Sequence, residues 1–257
     1  MRIIAIINQK GGVGKTTTSV NLAHALARDN YHVTLLDLDP QGHLSTSLAM
    51  DNRDENFNMA TGIGSVLLEN EAINKVSYKV RDNLHLIPAG DHLNDVEHIQ
   101  QGGATRGRLL KQALQQGELD DQDFVLIDCP PASGLLAVNA LFASDEILVP
   151  VVGDYLALCG VSQLMQTLKS FESMTRRKIA PWFTLTRFHP RGRLARDVLK
   201  KLTGYFPGRV LATAIRETVA LAESPAQGKT IFEYRPHSHG AEDYTMLAED
   251  LIHGRVW

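Results

Sequence analysis

The segment Asn8-Gln-Lys-Gly-Gly-Val-Gly-Lys-Thr-Thr17 constrains this chain more than any other stretch. It follows an apolar, β-branched run, Arg2-Ile-Ile-Ala-Ile-Ile-Asn8, with the composition of a fully buried strand. It leads into residues 16–28, which read as a helix with Val20, Ala23 and Ala27 on one face. A strand that turns through glycines straight into a helix sets successive backbone N–H groups in a concave row, over the positive end of the helix dipole. Gly11, Gly12 and Gly14 allow that turn without a Cβ clash. Phosphate oxygens suit such a nest. Lys15 can reach β- and γ-phosphates, and the Thr16 hydroxyl can ligate Mg²⁺. Gln9, Lys10, Gly11, Gly12, Val13, Gly14, Lys15, Thr16 and Thr17 are therefore the expected nucleotide-binding residues, with ATP and Mg²⁺ as cofactors.

Further strands are expected at 32–37, 84–87, 124–128, 146–152, 182–186 and 209–212. Helices are expected at 134–143, 161–175, 193–202 and 241–252, and a polar loop at 51–62. Strands alternating with helices predict a doubly wound α/β fold, with a mostly parallel sheet covered on both faces. No repeat or linker interrupts the chain, so residues 1–257 are expected to form a single domain. Its length suffices for a substantial core. Cys129 and Cys159 make neither a disulfide framework nor a C-x-x-C pair, which fits a reducing cytosol. No apolar run approaches the roughly 20 residues that span a bilayer.

Two acidic segments complete the expected site. Leu35-Leu-Asp37-Leu-Asp39-Pro-Gln-Gly42 ends a strand with two carboxylates on one pleat face. Phe124-Val-Leu-Ile-Asp128-Cys-Pro-Pro131 is an apolar strand closed by an aspartate. Strand ends of an open parallel sheet are where ligand chemistry collects. A lesser alternative is that Asp37 or Asp39 merely caps the turn before Pro40, and by chemistry alone Lys10 could equally be a solvated loop lysine.

The loop departs from G-x-x-x-x-G-K-[ST] by carrying Gln9 and Lys10 where the first glycine is expected. Lys10-Gly-Gly-Val-Gly-Lys-Thr16 resembles the deviant Walker A loop of the ParA/MinD family, and the closest likeness is to ParA/Soj-like partition and cargo-positioning ATPases. The likeness continues through Asp37-Leu-Asp39-Pro-Gln41, the strand ending in Asp128, Ala222-Glu-Ser-Pro225 and Gly240-Ala-Glu-Asp-Tyr244. It implies a slow, Mg-dependent ATPase in which Lys15 and Asp128 serve the nucleotide and Lys10 reaches the nucleotide of a partner subunit. Asp39 would orient the attacking water. Thr16 would ligate Mg²⁺, with Asp37, Asp39 and Asp128 acting on it through water. The resemblance further implies a homodimer when ATP is bound. An adaptor protein, ParB-like or McdB-like, would stimulate hydrolysis. The cargo would be a plasmid or chromosome, or an assembly such as a carboxysome or chemoreceptor array.

Charge points to a further partner. The chain carries a net −3, yet residues 169–216 hold twelve Lys or Arg against Glu172 and Asp197. Such sectoring predicts a surface for a polyanion. Arg187, Arg191, Arg193, Arg196, Lys200 and Arg216 are the expected contacts to nonspecific double-stranded DNA, which would place the protein on the nucleoid in the cytoplasm. Arg193, Arg196 and Lys200 share a helix face. Ala220 stands where many chromosomal relatives carry an arginine, and Arg216 lies close enough in sequence to substitute. The competing readings are a MinD-like membrane-recruited ATPase regulating division or flagella, and a metabolic P-loop enzyme. A membrane is not expected as a partner, because residues 251–257 contain Gly254 and Arg255 as their only cation.

Overall fold

The computed structural model describes all residues except 49–56, 100–102, 118, 120 and 132. In chain order its elements are β1 (Arg2–Ile6), α1 (Lys15–Arg28), β2 (Val33–Asp37), α2 (His43–Ser47), α3 (Ile63–Glu69), β3 (Tyr78–Arg81) and β4 (Leu84–Ile87). There follow α4 (Leu93–Val96), α5 (Leu109–Gln116), β5 (Phe124–Asp128), α6 (Leu135–Ala143), β6 (Glu146–Val152), α7 (Tyr155–Thr175) and β7 (Ala180–Thr186). The last elements are α8 (Arg193–Tyr205), α9 (Val219–Glu223), α10 (Ile231–Tyr234) and α11 (His239–His253).

The strands form one seven-stranded sheet in the order β3-β4-β2-β5-β1-β6-β7. Every pairing is parallel except β3 with β4 at the edge. Alternation along each strand divides the core in two. Ile4, Ile6, Val33 and Leu35 pack under α1 and α11, while Ala5, Ile7, Leu36 and Leu38 face the layer of α3, α5, α6, α7 and α8. Burial on both faces is why these strands read as continuous apolar runs. This is the doubly wound α/β architecture that the alternation predicts.

The register places the functional strand ends. Ile6 and Asp37 both lie opposite Asp128, so three parallel strands finish at one level. The chain leaves β1 towards α1 and β2, with β5 inserted between β1 and β2, while β6 lies on the other side of β1. That strand order opens a crevice at the carboxyl edge, beside the end of β1.

Several boundaries differ from expectation. The helix expected at 161–175 begins six residues earlier, at Tyr155, because the Asp154 side chain caps it. Residues 209–212 form no ladder strand: Val210 bridges to Phe183 and Leu211 to Val256. The edge strand β3 and helices α3 and α5 had no periodic signal long enough to read. Of the loop expected at 51–62, residues 51–56 lie outside the described residues and 57–62 carry no helix or strand.

Candidate nucleotide site and basic face

The glycine loop occupies the crevice. Gly12 and Gly14 adopt φ of 70° and 83°, and a Cβ at either would meet no protein atom. Backbone conformation, not crowding, requires glycine there. Neighbouring strands pin the loop at both ends. Buried Asn8 donates from Nδ2 to the Pro150 carbonyl at 2.7 Å and accepts the Lys10 N–H at 3.0 Å. The Thr186 hydroxyl donates to the Val13 carbonyl at 2.8 Å. α1 starts at Lys15, and Gly14 offers its N-terminus no side-chain cap. The first-turn N–H groups are thus left for a ligand, and the loop fits a polyphosphate. A cavity of about 220 Å³ adjoins the loop, lined in part by Gly12, Thr17, Thr186, Leu221 and Tyr244. A nucleoside attached to phosphates in the nest would extend into it.

Asp37 and Asp128 face each other at the ends of β2 and β5, both essentially inaccessible. Burial raises the Asp128 carboxyl to about 6, although hydrogen bonds from the Thr16 and Ser19 hydroxyls pull the other way. The Ser19 contact is 2.9 Å. Burial, then the Asp128 charge, push Asp37 well above the ordinary carboxylate range. Two such carboxylates under a phosphate nest, with Thr16 bonded to one of them, suit a hard dication such as Mg²⁺. Asp37 also shapes the backbone that follows it, since its two oxygens accept the N–H groups of Asp39 at 3.1 Å and Leu44 at 3.0 Å. Asp39 accepts the Gln41 N–H at 3.0 Å and so closes the turn at Pro40. Cys129, next in sequence, is buried with its thiol pushed up by burial and by Asp128.

Lys10 does not hang free. Its Nζ lies 2.6 Å from Asp154 Oδ2, while Asp154 Oδ1 accepts the Ala157 N–H at 2.7 Å and caps α7. Burial alone would raise Asp154, but the Lys10 hydrogen bond and the helix N–H hold it below the usual range. Gln9 reaches the same helix, with Nε2 3.2 Å from Thr167 Oγ1. Asp154 was not singled out in the sequence. An aspartate ahead of an apolar run is a helix-cap signal, but a partner 144 residues away is visible only after folding. Ser19 and Thr186 were missed for the same reason.

The basic segment is not uniformly available. Arg187 pairs with Glu217 at 2.7 Å, and Arg216 pairs with Asp243 at 2.5 Å and Glu242 at 2.7 Å. Arg177 donates to carbonyls at the end of α6, and Arg209 lies 5.1 Å from the Trp182 ring. Arg191, Arg193, Arg196 and Lys200 are exposed and have no carboxylate partner among the described residues. Of the six cations expected to meet DNA, Arg187 and Arg216 thus face carboxylates of this chain, and the other four do not among the described residues. Ala220 lies in α9 and supplies no charge. α8 starts at the carboxyl end of β7, the same sheet edge as the glycine loop. At the other end of the chain, the 251–257 stretch folds back, and Trp257 donates its N–H to Val210 at 2.9 Å. Among the described residues no helix is long and apolar enough to cross a membrane.

Comparison with known proteins agrees with this geometry. A family model described as "AAA domain" matches residues 1–180. The sporulation initiation inhibitor protein Soj of Bacillus subtilis is 38% identical over 252 residues, covering 97% of this chain and 98% of that protein. A plasmid partition protein from Borrelia burgdorferi, solved with AMPPNP, superposes with a TM-score of 0.85 at 24% identity, over 98% of both chains. Cobyrinic acid a,c-diamide synthase from Mycobacterium smegmatis, solved with an ATP analogue and magnesium, gives 0.81 at 31% identity, over 98% of this chain and 94% of that one. The chain therefore belongs to the Soj/ParA family of chromosome-partitioning ATPases, within the ParA/MinD group of P-loop proteins whose deviant lysine it carries.

Proposed function

We propose that two ATP-bound copies of this chain pair through their nucleotide loops, bind duplex DNA without sequence preference, and release it when an adaptor protein, ParB-like or McdB-like, stimulates hydrolysis. Mg-ATP supplies the anhydride whose cleavage makes the cycle directional. In this reading residues 9–17 cradle the phosphates, Lys15 offsets their charge, and Thr16 and Asp128 hold Mg²⁺ or its waters. Asp39 orients the attacking water. Asp37 fixes the turn that carries Asp39. Lys10 leaves Asp154 to reach the nucleotide of the other copy. Relatives such as ParA of Myxococcus xanthus and Soj of Treponema pallidum are named for chromosome partitioning, so the cargo proposed is a replicon.

The observation that carries the DNA reading is the row Arg191, Arg193, Arg196 and Lys200 at the loop's edge of the sheet, exposed and without a carboxylate partner among the described residues. Exposed arginines and lysines without carboxylate partners neutralise phosphates with little base readout. Pairing two copies would double the phosphate contacts, and affinity would rise steeply with their number. The test is a fluorescence titration of random-sequence duplex across salt, with ATP and with ADP. Wild type should bind tightly only with ATP. Replacing Arg191, Arg193 and Arg196 by alanine should lower the salt slope by up to about three per monomer while ATP affinity is retained. Equal DNA binding by the two proteins would move the surface elsewhere. Binding to anionic vesicles instead of DNA would favour a membrane-recruited ATPase.

A further inference from the structure

α6 begins without a cap of its own. Gly134 offers no side chain, and the helix's first turn is reached instead by a carboxylate from another part of the fold. Glu97, at the end of α4, accepts the Leu135 N–H at 2.6 Å through Oε2 and the Leu136 N–H at 3.0 Å through Oε1. No cation partner of Glu97 stands among the described residues, so two amides and the positive end of the helix dipole compensate its charge. Gly134 makes room for it: at φ of 92°, a Cβ there would lie 2.6 Å from both carboxylate oxygens.

This contact lies where the chain that leaves Asp128 enters α6. The segment joining Asp128 to α6 is anchored at one end, where Cys129 donates its N–H to the Ile6 carbonyl at 3.2 Å and Pro130 is buried. Pro131, Ser133 and Gly134 are surface residues, and the far end is fixed by the first turn of α6. That turn is held twice, by Glu97 on its N–H groups and by Asn139 Nδ2 on the Leu135 carbonyl at 2.9 Å. Leu135 and Gln9 both line one cavity of about 840 Å³, so the start of α6 and the edge of the nucleotide loop border the same space.

We propose that Glu97 is a positioning residue for ATP turnover: by clamping the first turn of α6 it fixes where Ser133 and Gly134 lead the chain from Asp128 into that helix. Glu97 touches neither the loop nor the carboxylates expected at Mg²⁺. Its loss leaves the phosphate nest intact and displaces a neighbour of the reacting groups. Nucleotide binding and turnover therefore separate.

The inference rests on the ATPase activity, which wild-type turnover tests independently. Steady-state kinetics, nucleotide affinity and thermal melting are to be measured on the full chain for Glu97→Ala, Glu97→Gln and Glu97→Asp. The alanine variant should lose about tenfold or more in kcat, as small misplacements near reacting groups do. Its ATP KM and ADP affinity should stay within about twofold, the pattern of an interaction used only in turnover. Glutamine keeps one acceptor and should recover part of the rate, and aspartate keeps the charge but is too short for both amides. Amide exchange should quicken at Leu135 and Leu136 in the alanine variant. If alanine prevents folding, the glutamine variant carries the same comparison. Unchanged kcat in the folded variants overturns the proposal, as does a fall in kcat matched by an equal loss of nucleotide affinity. An inactive wild type would instead sink the activity itself.

Discussion

Asp128 is raised to about 6 from an ordinary 3.8, with burial as the main cause, so its charge is unfavourable in the nucleotide-free fold. The raised value has a consequence for stability. A carboxylate whose folded pKa exceeds its unfolded pKa stabilises the fold fully below the unfolded value, and that contribution disappears as pH rises through the folded value. Nucleotide-free protein should thus lose stability between about pH 4 and pH 6. Asp128→Asn removes the ionisation but keeps an acceptor for Ser19 Oγ. Urea titration should find it more stable than wild type near neutral pH, by on the order of 1–3 kcal/mol, with the gap closing at acid pH. Equal stability at neutral pH would mean that Asp128 is compensated in a way that its surroundings do not show. At the same scale, the sequence exposed Lys15, Thr16, Asp39 and Asp128, because each stands in a short motif. It could not show that Asp37 spends both oxygens on backbone amides.

Between elements, the turn from β6 into α7 joins two regions that the sequence presents separately. Asp154 holds Lys10 and caps α7, while at Gly153 a Cβ would lie 2.8 Å from the Cβ of Ala195 in the first turn of α8. The nucleotide lysine and the basic helix therefore meet at one turn of chain. The Lys10–Asp154 pair is partly exposed, with side-chain accessibilities of 30% and 45%, so it is worth little in water and can be exchanged for another partner. Asp154→Asn keeps a cap for α7 but withdraws the charge that detains Lys10. ATP-dependent self-association should then begin at up to about fivefold lower protein concentration, the equivalent of about 1 kcal/mol. Light scattering against protein concentration reads this directly. An unchanged midpoint would show that releasing Lys10 costs nothing in assembly. Helix α7 illustrates the limit of periodicity: its apolar rhythm marks the middle of the helix, but the cap fixes its start.

For the whole molecule, the doubly wound sheet brings the glycine loop, the two acidic strand ends and the start of α8 to one edge. That edge is what a second copy would cover if Lys10 serves the opposite nucleotide. Lys10→Ala should then bind ATP with near-normal affinity in calorimetry yet remain monomeric in light scattering at saturating ATP. A normal ATP-dependent dimer would assign the lysine to its own loop alone. The strands and the nucleotide loop were legible in the sequence, because a buried parallel strand and a phosphate nest are local patterns, set by β-branched runs and by glycines at fixed spacing. The edge strand β3 and the short helices were not, since four to eight residues carry too little periodicity to separate from loops. Which cations face solvent was not legible either. Arg187, Arg193 and Arg216 look alike in a charge count, and only the fold sets Glu217, Asp243 and Glu242 against two of them. The sequence by itself determined the phosphate nest of residues 9–17, because neighbours in the chain supply its glycines, its lysine and its helix N-terminus. Tertiary structure alone decided which charges are spent internally and what holds Lys10 and α6, because those partners lie tens to more than a hundred residues away and meet only when the sheet assembles.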